Sequence, residues 1–280
     1  MPPTTIDRRT AKAEARSLLR SAKVSPLRLT LLYLAIELLL SEIGTALDRL
    51  TQESSAALDP TTITPDELLD LFASFFIART PIQWTVLFLS IFISLLLWVL
   101  KAGYSSYCLG VSRGELTPYE SLFDGFAFVG KVLALTFLIL LLIGVGLSFF
   151  LLPGILFFLM YRFALYNLCT DPSISVWEAM KRSRLQTDGR KMELFLLNLS
   201  FLPLILLLLA AEVAVSMLLS PLFAYTLSGD LLYSFFAFVI TSAVTVFLMP
   251  YMELAHTVYF VRLTAAPADE PPQKPSATDF

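Results

Sequence analysis

Between Lys131 and Arg162 the chain runs thirty residues, Val132–Tyr161, without a charge. At roughly 1.5 Å per residue, one straight helix of that length is too long for a single crossing of a ~30 Å hydrocarbon core. Pro153-Gly154 interrupts the run, so it reads as a helical hairpin, Val132–Phe150 followed by Ile155–Leu168. The second arm is short and carries Arg162 about seven residues inside its start. A long arginine side chain in that position is expected to snorkel toward the nearer interface.

Four further apolar runs accompany the hairpin. They are Leu27–Ile43, the stretch between Trp84 and Leu100 with Trp84 and Trp98 as aromatic anchors, Leu194–Leu219, and Leu231–Met249. Pro203 predicts a kink in the third of these, and a helical continuation is expected beyond Pro250 as far as Arg262. Hydrophobic residues make up 56% of the chain and charged residues 15%, against roughly 25% charged in soluble domains. The expected fold is all-α: a polytopic membrane protein of six transmembrane helices, with short amphipathic helices in the interface.

The basic residues orient that bundle. With six spans, eighteen of the twenty Lys and Arg residues fall on one side, and only Arg49 and Arg79 fall on the other. The positive-inside rule then places both termini in the cytoplasm. A fourth segment that failed to cross would carry the Lys181–Lys191 cluster to the wrong face. The first 22 residues are polar and basic, with no apolar core, so the first apolar run is expected to stay as an anchor rather than be cleaved. Cys108 and Cys169 both fall at expected cytoplasmic helix ends, which points to a reducing compartment and no disulfide.

The organisation that follows is a basic amphipathic segment over 1–24, a membrane domain over 25–263 and a disordered tail over 264–280. Within the membrane domain an acidic extracytoplasmic loop is expected at about 48–80, with a helix starting at Thr64-Pro65-Asp66-Glu67. Cytoplasmic interfacial helices are expected at about 117–127 and 175–188. Each opens on capping chemistry, Thr117-Pro118-Tyr119-Glu120 and Ser175-Val176-Trp177-Glu178, and Gly189 closes the second. Three times an amphipathic segment runs into a Lys and then a spanning helix, at Lys23, Lys131 and Lys191. An internal repeat and plain positive-inside selection both account for this.

Several blocks resemble a bacterial membrane-protein family, the domain of unknown function 975. The first is Gly103, Tyr107, Arg113-Gly114 and Leu122-Phe123-Asp124-Gly125-Phe126. The second runs from Leu152-Pro153-Gly154-Ile155 through Tyr161, Tyr166, Asp171-Pro172, Ala179, Ser183, Gly189 and Lys191 to Phe195-Leu196-Leu197-Asn198-Leu199-Ser200-Phe201. Pro250-Tyr251 and Tyr259 make the last. The resemblance spans roughly residues 5–262 and departs from the pattern at Phe149-Phe150, where a tryptophan is expected. It implies membrane topology and the bacterial cytoplasmic membrane, but no activity.

Candidate site residues are few. Glu37 lies near the middle of the first span, where an ionisable group is costly and is a functional-site hypothesis by default; the alternative is a structural polar contact with Arg162 or Asn198, or a protonated neutral acid. Arg162 and Glu212 are the other intramembrane candidates, Glu212 near the outer interface. Lys181, Arg182, Arg184, Arg190 and Lys191 are candidate contacts for anionic lipid head groups, and the same residues serve simply as the orientation signal. Glu253 and His256, the only histidine, read as a polar pair at the cytoplasmic edge; one Glu-x-x-His falls short of the ligand set of a di-iron bundle.

No catalytic or cofactor-binding constellation and no metal site is expected, and nothing suggests nucleic-acid binding. Two functions stay open: a non-enzymatic envelope scaffold, assembly or regulatory protein with a membrane partner, or a transporter of small solutes or lipids using Glu37 and the Pro153-Gly154 break.

Overall fold

The computed structural model describes residues 8–51, 81–223 and 229–265. Among these residues every regular element is helical. In chain order the helices are α1 (Arg8–Ser21), α2 (Pro26–Thr51), α3 (Pro81–Ser112), a 3-10 helix (Tyr119–Phe128), α4 (Val129–Phe149), α5 (Leu151–Met160), α6 (Ala164–Thr170), α7 (Val176–Thr187), α8 (Lys191–Leu199), α9 (Leu202–Phe223) and α10 (Gly229–Ala265). The expected loop helix at Thr64, Arg79 and most of the expected tail lie outside the described residues.

Five stretches are long and apolar enough to cross a membrane: 81–112, 119–149, 151–170, 191–218 and 238–265. A sixth is reached if α1 and the start of α2, which meet at 85°, count as one bent span. The all-helical architecture and five to six candidate spans thus agree with the sequence in outline, while the breaks fall elsewhere than expected. The hairpin turns at Phe150, upstream of Pro153, because a proline in the first turn of α5 loses no intrahelical hydrogen bond. Gly154 serves a different purpose. It lies against Gly146 of α4, where an added Cβ would come within 2.9 Å of the Gly154 backbone, so the two arms meet at van der Waals distance. Pro203 likewise sits in the first turn of α9, and the chain breaks before it, at Ser200–Phe201. The Ser200 carbonyl freed by that break accepts from Lys12 Nζ of α1 at 3.0 Å.

The densest packing lies at one end of the bundle. Tyr104 and Tyr107 of α3, Phe163 and Tyr166 around α6, Leu194 and Leu197 of α8, Phe201, and Leu254, Tyr259 and Phe260 of α10 are all buried there. At the other end the helices turn large apolar side chains outward; Phe149, Phe150, Leu151 and Leu152 at the hairpin turn are all more than two-thirds exposed.

The 3-10 helix replaces the α-helix expected at 117–127. The capping box expected there does not form: Pro118 stands at the cap position with no side-chain bond, and Thr117 Oγ1 is enclosed with no partner among the described residues. Tertiary contact dictates the local form instead. A Cβ on Gly103 would fall 1.8 Å from the Leu122 carbonyl oxygen, and one on Gly125 would fall 2.3 Å from the Val99 carbonyl oxygen, so two backbones touch through paired glycines. By contrast Ser175 Oγ accepts from the Glu178 amide at 3.1 Å and starts α7 as a capped helix. Gly189, with φ +72°, occupies the left-handed region just past its end.

Candidate functional site: a buried carboxylate between two cations

The chain between α5 and α6 departs from α-helical bonding at Tyr161–Phe163. A break inside a packed helix leaves amides and carbonyls without intrahelical partners. Here α7 supplies them. Ser183 Oγ donates to the Met160 carbonyl at 2.8 Å and accepts from the Phe163 amide at 3.2 Å, and Thr187 Oγ1 donates to the same carbonyl at 3.3 Å. Asn167 of α6 and Gln186 of α7 exchange two amide hydrogen bonds of 2.9 Å. These bonds fix α7 against the break and so fix Arg162, which lies within it.

Arg162 reaches across to Glu253 of α10. One carboxylate oxygen, Oε2, lies 3.5 Å from Arg162 Nη2 and 3.4 Å from Lys101 Nζ of α3. The other, Oε1, accepts from Ser105 Oγ at 2.7 Å and from Tyr166 OH at 2.9 Å. One carboxylate thereby joins α3, α6, α10 and the break. Its side chain is 6% exposed, against 38% for Lys101 and 23% for Arg162, so the acid is interior and both cations extend outward from it. The guanidinium also stacks over the Tyr166 ring at 5.7 Å, and the Lys101 ammonium lies 5.0 Å from the Tyr104 ring centroid. Arg162 Nε is enclosed and has no hydrogen-bond partner among the described residues.

His256, one helical turn along α10, faces a different way. Its Nδ1 lies 2.7 Å from the Met252 carbonyl and its Nε2 lies 3.1 Å from Asn198 Oδ1. Asn198 Nδ2 donates to the Leu194 carbonyl at 2.9 Å, so both ring nitrogens face acceptors. The sequence reading of Glu253 and His256 as one polar pair is corrected here: both are buried, and their hydrogen bonds go to different partners. Among the described residues, no three His, Cys, Asp or Glu side chains gather where they could share a metal ion.

The sequence candidates fare unevenly. Arg162 pairs with the interior Glu253 while its side chain stays 23% exposed. Glu37 is half-buried, and the hydrogen-bond partners of Arg162 and Asn198 are Glu253 and His256 instead. Glu212 is exposed on α9. In the basic cluster, Arg182 pairs with Glu178 at 3.1 Å and Asp171 at 3.8 Å, and Lys191 pairs with Asp188 at 3.3 Å. Arg190 stands at the cap position of α8. Lys181 and Arg184 are exposed on α7 with no ion pair among the described residues. The two cysteines are free thiols.

Sequence reasoning passed over Glu253, Lys101, Ser105 and Tyr166 as a group. The available signal was charge at matching depth: Lys101 closes one long charge-free run, Glu253 closes another, and Arg162 closes a third. Two cations and one acid at the same end of three adjacent helices invite pairing.

Residues 159–267 match a family model described as a protein of unknown function (DUF975), so the resemblance read from the sequence is shown over that span. The match takes in Arg162, Tyr166, α7 and Glu253, and leaves out Lys101 and Glu37. No curated protein and no solved structure matches the chain.

Proposed function

We propose that this chain is a multi-pass protein of the bacterial cytoplasmic membrane, with six spans and both termini in the cytoplasm, acting as a non-enzymatic scaffold, assembly or regulatory protein. Support for the topology comes from the basic end of the bundle. Arg262, near the end of α10, bonds Thr10 and Glu14 of α1, which keeps the two ends of the described chain on one side of any bilayer the helices cross. Lys131, at the start of α4, donates to the carbonyls of Pro172, Ser173 and Ile174, at distances of 2.6–3.2 Å, and joins the α6–α7 connection to that same end.

The observation that carries the scaffold reading is the closed pairing of Glu253 with Lys101, Arg162, Ser105 and Tyr166. A transport site should turn its charges toward a polar cavity. Instead these charges are spent on one another, tying helices together. Among the described residues, cavities of about 290 Å³ beside the α1–α2 elbow and about 230 Å³ beside α7 are lined by other residues than Glu253.

Transport is the second reading, and it is favoured by the discontinuous segment at Tyr161–Phe163 with a charge at its break. Glu37 separates the two: Glu37→Gln should leave folding and any associated phenotype unchanged if the protein is a scaffold. Topology is checked by a reporter fused after Ser228, which should report the extracytoplasmic side; a cytoplasmic report would sink the six-span arrangement. Co-purification from native membranes then looks for the partner that a scaffold requires.

A further inference from the structure

We infer that the cavity between Tyr161 and α7 is a seat for the phosphodiester head group of an anionic phospholipid. The inference rests on the membrane placement proposed above and adds a specific ligand and site to it. The cavity, about 230 Å³, is lined by Tyr161, Trp177, Met180, Lys181 and Arg184. Trp177, Lys181 and Arg184 follow one another at i, i+4 and i+7, so they form one stripe of α7. Beside that stripe, Ala179, Ser183 and Thr187 are buried against the bundle, and Met180 is buried between the two and also lines the cavity.

Charge distinguishes this pair from its neighbours. Arg182 and Lys191 are neutralised by Glu178, Asp171 and Asp188, whereas Lys181 and Arg184 meet no carboxylate among the described residues. Two adjacent cations of which one carries a guanidinium fork suit a phosphodiester, which has no internal countercharge unless the head group supplies one. An anionic lipid therefore fits better than a zwitterionic one.

The surroundings supply the rest of a lipid site. Tyr161 stands at the boundary between α5, where Leu152, Leu156 and Phe158 point outward, and the basic helix α7. Acyl chains have an exposed apolar wall on one side of that boundary, and the phosphate has its cations on the other. Trp177 is 73% exposed beside the cavity, the placement expected of an indole at head-group level. The seat is also preorganised, because the Ser183 and Thr187 bonds to the Met160 carbonyl hold α7 to the helix break and Gln186 holds it to Asn167 of α6.

Native mass spectrometry of the purified full-length protein, after exchange into mixed phosphatidylglycerol and phosphatidylcholine, tests the idea. Wild type should retain phosphatidylglycerol over phosphatidylcholine. Lys181→Ala with Arg184→Ala should weaken that retention by roughly fivefold for each cation removed. Arg182→Ala, one residue away but already paired, should leave it unchanged, and comparable melting temperatures establish that the variants fold. Equal loss in Arg182→Ala and the double variant overturns the site in favour of general surface charge. Retention unaffected by the double variant overturns it outright. Displacement of the lipid by millimolar inorganic phosphate overturns the lipid as occupant and reassigns the site to a soluble anion. Failure of the membrane placement itself is seen separately, as release of the wild-type protein from membranes by alkaline carbonate.

Discussion

The carboxylate of Glu253 lies 3.5 Å from the guanidinium of Arg162, although 91 residues separate them in the chain. Glu253 is interior, whereas Arg162 and Lys101 each keep a route to the surface. Removing the acid from such a group strands two cations, whereas removing one cation leaves the acid still partnered. Glu253→Ala should therefore destabilise the protein by about 3 kcal/mol, the lower part of the range for a broken buried pair, because its cations are partly solvated. Arg162→Gln alone should cost less. The double variant Glu253→Gln with Arg162→Gln should recover part of the Glu253→Ala loss, and thermal unfolding in detergent measures all three.

Ser183 couples the helix break to α7 by acting as donor and acceptor at once. Ser183→Ala leaves the Phe163 amide without its acceptor and removes one of the two hydroxyls on the Met160 carbonyl. The expected cost is about 1–3 kcal/mol, and amide exchange should accelerate at Phe163 in particular. Unchanged exchange there would show that the break is held by packing alone.

Paired glycines make a sharper steric prediction. Gly103→Ala places a methyl group inside the van der Waals radius of the Leu122 carbonyl, and Gly125→Ala does the same at Val99. Backbone cannot move aside as a flexible side chain does, so each should destabilise by at least about 1–3 kcal/mol. Gly144→Ala, in α4 with nothing within 4 Å of the added carbon, should be neutral or stabilising by up to about 1 kcal/mol. Melting temperatures of the three variants should fall into those two groups.

A pH effect is expected at the α6–α7 connection. The hydroxyl and amide of Ser173 both donate to Asp171 Oδ1 and hold its carboxyl below the usual carboxylate range. Since the folded pKa is the depressed one, the associated stability is present above the ordinary carboxylate pKa and is lost as pH falls through the folded value. Carboxyl chemical shifts titrated in wild type and Ser173→Ala should show the Asp171 transition moving to higher pH in the variant.

Much of this architecture was legible from the run of residues. Long charge-free stretches are local properties, and they predicted the helices; proline and glycine predicted that the hairpin and the Leu194–Leu219 run would be interrupted. The placement of each interruption was less legible. Pro153 and Pro203 are accommodated in first turns, so the chain breaks just upstream of them. The expected capping box at Thr117 failed for a different reason: contact between the Gly103 and Leu122 backbones outweighs a cap worth about 1 kcal/mol. Glu37 drew attention because its depth in one helix is readable, whereas Glu253, close to the end of an apolar run, read only as the partner of His256 at the cytoplasmic edge.

By itself, the sequence predicted an all-helical chain with six apolar stretches, because hydrophobic length and periodicity act within each segment. The structure shows five long enough to span a bilayer, and a sixth if the bent pair counts as one. Only the tertiary structure decided which charges meet. Pairing between α3, the α5–α6 break and α10 depends on how helices distant in sequence pack, and a carboxylate withdrawn from water takes whichever cations that packing brings within reach.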